Sequence, residues 1–438
     1  MQVQEPQASG GGRGDAPEAH LRRVILAGTI GAIIEWYDFF LYGIVAGIVL
    51  SRLYFPSHSD ALSELLAYST FAMGFVSRLI GGVIFGHLGD RLGRKRVLVA
   101  TLLIMGVSTT LIGLLPTYAQ IGPAASVALF ALRLLQGVGI GGEWGGAVLM
   151  AYETAPPGKR GFYAALPQLG LSIGLCLASG VVGVMSLLPE AAFMQWGWRV
   201  GFLLSVVLVA IGLYIRLKVL ETPEFERARS ERKLVRLPLR DMLRDYPREL
   251  WLGMGARCIE GVAFNTYSVF SVLYLSQYRH VPRGRALAAV TVAAVVLTVL
   301  IPVVGRLSDR WGRAIPYAIG ALLLAASAYP SFWLMDHGDP VGVALGVILP
   351  LGVFYSLCYA PESALFADLF APEVRYTGIS VVYQLSGVFA SGLLPIIATW
   401  LLGLGGGSPV WICLYLVAVG LISAGCALAI FRLRPASR

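Results

Sequence analysis

Glu35, Asp38 and Tyr42 stand three and four residues apart inside the apolar run 24–50. On a helix they fall within about 60° of arc and form one stripe, while Trp36 and Tyr37 point elsewhere. A carboxylate at mid-membrane costs roughly 2.5–3.5 kcal/mol on insertion scales, so a function is its default reading. An acid beside a hydroxyl can hold and release a proton as its surroundings change. The competing reading is a structural hydrogen bond that fixes the helix. Arg133, in the run 124–152, is the matching cation. Asp38 lies roughly 18 Å below the outer end of its helix and Arg133 roughly 14 Å down its own. An arginine at that depth needs a carboxylate or an anionic substrate beside it. Asp38, Glu35 and Arg133 are thus the expected proton-coupling group, and Arg133 doubles as an anion ligand.

Other polar residues share these apolar runs. Gln136 and Glu143 lie on one face of the Arg133 helix, 60–80° or so around from Arg133. Glu143 sits in a glycine run, Gly139 to Gly146, that suits close helix packing with one satisfied acid. Arg257, Glu260, Phe264 and Ser268 make a stripe in 249–277, read either as an internal ion pair or as cavity contacts. Tyr42, Gln168, Asn265, Tyr359, Tyr383 and Gln384 complete the candidate substrate-binding set. Arg78 is either a structural partner or a substrate contact, and spacing does not choose between them. No H-E-x-x-H or phosphate loop is present, which argues against an enzyme. The histidines do not pair at metal-ligand spacing, so no metal site is expected, and no cofactor beyond the proton as coupling ion. The five cysteines lie in apolar runs without a C-x-x-C and read as packing residues.

A second kind of chemistry repeats. Gly86-His-Leu-Gly-Asp-Arg-Leu-Gly-Arg-Lys-Arg96 recurs 219 residues later as Gly305-Arg-Leu-Ser-Asp-Arg-Trp-Gly-Arg313, half the length of the 438-residue chain. Asp90, Arg91 and Arg94, with Asp309, Arg310 and Arg313, fall at helix ends. Their carboxylates can bond orphan amides or the positive end of a neighbouring helix. They are expected to gate: contacts of this kind latch one side shut and break when two halves rock. A weaker echo sets Glu153, Pro157 and Arg160 against Asp368, Pro372 and Arg375 at an offset of 215. Glu143 is matched by Glu362 at 219.

The elements that must carry these residues are membrane spans. The chain is 57% hydrophobic and 13% charged, with 52 glycines, which excludes a single soluble domain. Twelve runs are long enough to span: 24–50, 61–86, 97–118, 124–152, 161–187, 198–219, 249–277, 286–305, 316–335, 341–366, 378–402 and 409–432. The fold class is therefore an all-α membrane protein of twelve transmembrane helices in two pseudo-symmetric six-helix halves, the pattern of a secondary transporter. Residues 1–20 are expected to be a disordered tail, 21–219 the first half, 220–248 a linker with an amphipathic helix near 225–234, and 249–438 the second half with a short tail. Of the 34 Lys and Arg, 26 fall on one side, including ten from Arg216 to Arg248. The positive-inside rule puts that side, with both termini, in the cytoplasm. The +9 net charge reflects orientation in a lipid bilayer, and no nucleic-acid partner is expected.

Gly86–Leu98 resembles the loop between the second and third helices of the major facilitator superfamily. More narrowly the chain resembles the metabolite:proton symporters of bacterial inner membranes. The resemblance rests on Ile34–Gly43, Arg78-Leu-Ile-Gly-Gly82, Arg133–Gly146 and Arg375-Tyr-Thr-Gly378. Relatives in that family carry shikimate, α-ketoglutarate, citrate, or proline and betaine, and 133–168 looks most like the shikimate-type branch. The resemblance implies a monomeric, proton-coupled importer of a small organic acid working by alternating access. It also implies, as in proton-coupled sugar porters of the superfamily, that an acid on helix 1 and an arginine on helix 4 couple protonation to substrate binding. An exporter is the alternative, but the Gly-Pro-x-x-Gly-Gly signature of drug antiporters is absent from the fifth span. Symport of dicarboxylates or zwitterionic osmolytes is the other.

Overall fold

The computed structural model describes residues 15–56, 60–231, 238–337 and 339–433. The spanning helices are α1 (Asp15–Val45), α2 (Asp60–Leu92), α3 (Arg94–Leu114), α4 (Pro123–Thr154), α5 (Arg160–Met185) and α6 (Glu190–Leu217). The second set is α7 (Pro247–Tyr278), α8 (Arg283–Trp311), α9 (Ala314–Asp336), α10 (Pro340–Ala367), α11 (Arg375–Leu404) and α12 (Val410–Leu433). Eleven are long and apolar enough to cross a bilayer, and α2, with 33 residues, packs among them against α4 and α11. Two short helices, Pro223–Ser230 and Pro238–Asp245, lie between α6 and α7.

One departure from expectation concerns an end. The first helix begins at Asp15, so residues 15–20 are helical and not a disordered tail. Residues 1–14, 232–234 of the expected linker helix and 434–438 lie outside the described residues.

The repeat is visible in the packing. Helix α1 packs on α5 and α6, as α7 does on α11 and α12; α3 packs on α4 and α6, as α9 does on α10 and α12. The halves meet along α2–α11 and α5–α8. Gly93 and Gly312, the same position in the two charged loops, have φ of 104° and 83°. A side chain there would be strained, which is why both loops turn sharply into the next helix at a glycine.

Far from the charged loops the helices are less regular. A π-turn follows α1 (Ala46–Leu50), and others interrupt α7 (Thr266–Phe270), α10 (Leu349–Phe354) and α11 (Val388–Gly392). In α5 a 3₁₀ turn, Leu166–Gln168, sits at Pro167, whose missing N–H breaks the regular ladder. Pro302 and Pro361 lie inside α8 and α10.

Candidate functional site

At the end of the bundle bearing the two charged loops, the halves are clasped. Asp90 accepts from the amides of Tyr376 (3.2 Å) and Thr377 (2.9 Å) and from the Thr377 hydroxyl (2.8 Å), at the first turn of α11. Asp309 accepts from the amides of Gly161 (2.7 Å) and Phe162 (2.9 Å), at the first turn of α5. Each carboxylate thereby satisfies orphan donors at the positive end of a helix in the opposite half.

The arginines complete two related clusters. Arg94 reaches Asp90 (3.3 Å), Glu153 (3.4 Å) and the Pro372 carbonyl (2.9 Å), and Arg313 pairs with Asp368. Arg375 binds Glu153 (3.2 Å) and Glu224, while Glu224 also holds Arg160 (2.6 Å). Glu224 belongs to the first linker helix and so ties α5 to α11. Arg91 and Arg310 are exposed and make no ion pair among the described residues, so the geometry gives them no part in the clasp.

Inside the first half, the expected stripe of α1 goes to three different partners. Asp38 accepts from Ser205 Oγ (2.6 Å) and Thr109 Oγ1 (2.7 Å). Thr109 in turn accepts from Gln136 Nε2 (2.7 Å), and Gln136 Oε1 accepts from Arg133 Nη1 (2.5 Å). Asp38 and Arg133 are therefore joined by a relay through two side chains and not by a direct ion pair. Tyr42 shares a hydrogen bond with Thr70 (2.6 Å), and the Arg133 guanidinium sits 4.1 Å over its ring. Glu35 is buried, and its Oε2 has no hydrogen-bond partner among the described residues.

Glu143 pairs with Arg216 of α6 and accepts from Thr101 (2.9 Å). Arg216 also donates to the Leu98 carbonyl. The charge pattern places Arg216 among the exposed linker cations, but it is 3% exposed inside the helix bundle. The pair is structural, and Glu143 is not a cavity residue. Replacing Arg216 with Ala is expected to cost about 3–5 kcal/mol, because a buried carboxylate loses its partner. Arg216→Met combined with Glu143→Met should recover most of that loss in thermal unfolding. A double variant no more stable than the single one would contradict the pairing.

Between the halves lies a narrow space, partly open to solvent. Its walls include Trp36, Phe39 and Phe75 from the first half and Phe264 and Tyr383 from the second. Its charged residues are Arg78 of α2 and Arg257 and Glu260 of α7, with Asn265 and Gln384 beside them. Arg257 lies 2.9 Å from Glu260 and 4.2 Å over the Tyr383 ring, and the Tyr355 hydroxyl donates to Glu260. So the two readings of the α7 stripe hold together: it is an ion pair, and it faces the cavity. Asn265 donates back to the Gly261 carbonyl at 2.8 Å.

Arg133, Tyr42, Gln136, Gln168 and Tyr359 are not among the residues lining this space. Arg133 and Gln136 belong to the Asp38 relay, and Tyr42 lies under the Arg133 guanidinium. Gln168 and Tyr359 belong to a contact between the halves. The Trp144 indole stacks on Tyr383 at 3.8 Å and donates to Gln168 Oε1 (2.9 Å). Gln168 Nε2 donates across the interface to the Tyr359 carbonyl (3.0 Å) and to Glu362 (3.2 Å). Gln384 donates to the Gly141 carbonyl (2.9 Å), and the Tyr376 hydroxyl to that of Gly142 (2.6 Å). This close approach explains the glycine run: a Cβ on Gly145 would meet Ser380 Oγ at 2.7 Å.

Two pseudo-symmetric six-helix halves with an aromatic cavity that holds charged residues between them, clasped at one end by a repeated charged loop, define a secondary transporter of the membrane. The chain belongs to the Major Facilitator Superfamily, whose family model matches residues 28–335 and 254–438. It is a multi-pass membrane transport protein and not an enzyme. It is 41% identical to the inner membrane metabolite transport protein YhjE of Escherichia coli over 86% of this chain and 87% of that protein. It is 37% identical to the shikimate transporter of the same organism, over 93% and 94%. It is 31% identical to the E. coli proline/betaine transporter, over 88% and 78%. Among solved structures, the proton:xylose symporter XylE bound to 6-bromo-6-deoxy-D-glucose matches with a TM-score of 0.74 at 16% identity, covering 96% and 97%.

Proposed function

We propose that this protein is a proton-coupled symporter that imports a small, shikimate-like organic acid across the bacterial inner membrane. The observation that carries this reading is the inter-half cavity with one guanidinium from each half, Arg78 and Arg257, since buried guanidinium groups select carboxylates. The 37% identity to a shikimate transporter supports the choice of acid. The basic end, with both termini, faces the cytoplasm, and the single chain is the working unit. In the closed arrangement of the clasp, the cavity is sealed from the cytoplasm. Asp38 and Glu35 handle the proton, Arg133 senses Asp38 through Gln136 and Thr109, and Asp90, Arg94, Asp309 and Arg313 act as the gate.

The test is uptake into proteoliposomes of shikimate, α-ketoglutarate, citrate and glycine betaine under an inward proton gradient. Accumulation of shikimate that collapses with a protonophore is expected. No accumulation of any acid, in oriented vesicles, would overturn the reading. A second reading, a zwitterionic osmolyte, draws on the Glu260 carboxylate beside aromatic walls, a setting that also suits a quaternary ammonium. Glycine betaine accumulating alone would favour it.

A further inference from the structure

Arg78 is 6% exposed, and its guanidinium makes no hydrogen bond or ion pair among the described residues. What it has is rings: it lies 4.4 Å from the Phe39 centroid, 5.4 Å from Phe75 and 5.7 Å from Trp36. A desolvated guanidinium over aromatic faces is held in place but keeps its in-plane N–H donors unspent. Arg78 borders the inter-half cavity. The other arginine there, Arg257, already has Glu260 at 2.9 Å. Arg133, read from sequence as the anion ligand, donates to Gln136 and lies away from the cavity lining.

Of the charged residues in the lining, Arg257 is paired with Glu260, which leaves Arg78 without an ion-pair partner among the described residues. A cavity in low dielectric binds best the ligand that brings it to neutrality. The body of that ligand would lie against Phe264 and Tyr383, with Asn265 and Gln384 able to meet hydroxyl groups.

We infer that Arg78 anchors the substrate carboxylate and that the cavity selects a compact monocarboxylate over di- and tricarboxylates. This rests on the proposed reading that the cavity carries an organic acid.

The experiment compares shikimate with its methyl ester, and with α-ketoglutarate and citrate, by thermal stabilisation of the full chain in detergent and by competition in proteoliposomes. In the wild-type protein shikimate should bind at least about a hundredfold more tightly than its ester and about tenfold more tightly than either polycarboxylate. In Arg78→Gln the preference of acid over ester should fall to within about threefold. Arg78→Lys, which keeps the charge but loses the planar fork, should retain part of it. If Arg78→Gln fails to fold, the wild-type ester and polycarboxylate comparisons still decide. Equal binding of acid and ester, tighter binding of a polycarboxylate, or an unchanged preference in folded Arg78→Gln would overturn the inference. A wild-type protein that accumulates an acid while Arg78→Gln does so equally well defeats this assignment alone. Selective binding of shikimate without transport would defeat the symport reading and leave the anchor standing.

Discussion

Asp38→Asn is expected to abolish proton-driven accumulation while leaving exchange of internal for external substrate near the wild-type rate. The reason lies in how many protons the relay holds. With Asp38 ionised, each of its oxygens accepts from a hydroxyl, Ser205 at 2.6 Å and Thr109 at 2.7 Å. Thr109 has one proton, and the Met105 carbonyl at 2.9 Å competes for it. While that proton points to Asp38, the chain runs donor to acceptor from Arg133 through Gln136 and Thr109 to the carboxylate. When Asp38 takes a proton, Thr109 can turn to Met105, and the pull on Gln136 and Arg133 weakens. An Asn at 38 carries fixed donors and stays in the protonated pattern at every pH. It cannot release a proton, so the cycle loses its link to the gradient. For one proton per substrate, accumulation should fall from about tenfold per imposed pH unit to about one. Exchange needs no net proton movement and should survive. Undiminished accumulation in Asp38→Asn would remove Asp38 from the coupling path and shift attention to Glu35.

The spans were readable because a bilayer demands about 20 apolar residues from each, and few other constraints are so plain in sequence. The clasp was readable for a different reason. Asp90 and Asp309 bond the first turns of α11 and α5, which follow Arg375 and Arg160, so the two offsets of 219 and 215 pair up as contacts. A repeat shows that such pairs exist but not how a half is wired inside. Arg216 stands next to the linker, and its neighbour Lys218 is exposed, so its charge reads as surface. Only the packing of α4 and α6 around α1 and α3 brings it to Glu143, 73 residues away in sequence. Depth along a helix put Asp38 and Arg133 at one level, but depth has no direction, and so it could not tell a relay within one half from a ligand facing the cavity. Arg78 is the converse. Its spacing predicts nothing, and its meaning comes from three rings brought around it by α1 and α2. Glu224 was hidden because a linker acid between exposed charges has no periodicity to mark it.

The clasp leads to the second large effect. Asp90→Asn and Asp309→Asn should each slow turnover with substrate affinity unchanged to within about threefold. Each aspartate accepts from two backbone amides of the opposite half. Hydrogen bonds to a charged group are worth about 1.5–3 kcal/mol apiece, and an Asn keeps one acceptor while losing the charge that favours a helix N-terminus. These bonds exist only while the basic end is closed. Their loss therefore raises that state alone, and a penalty of about 1.4–2.8 kcal/mol shifts the opening equilibrium by about 10- to 100-fold. A carrier biased toward opening at that end returns slowly and turns over less. The substrate contacts proposed for Arg78 and Arg257 are untouched, so affinity should hold. Hydrogen exchange gives a readout that ordinary misfolding would not mimic. In Asp90→Asn the amides of Tyr376 and Thr377 should exchange faster, and in Asp309→Asn those of Gly161 and Phe162. The two sites lie on different helix pairs, α2–α11 and α5–α8, yet clasp one closed state. Their effects on opening should therefore add in the double variant. A loss of affinity at normal turnover, or no change in exchange at the α5 and α11 first turns, would show that the repeated loops do not gate.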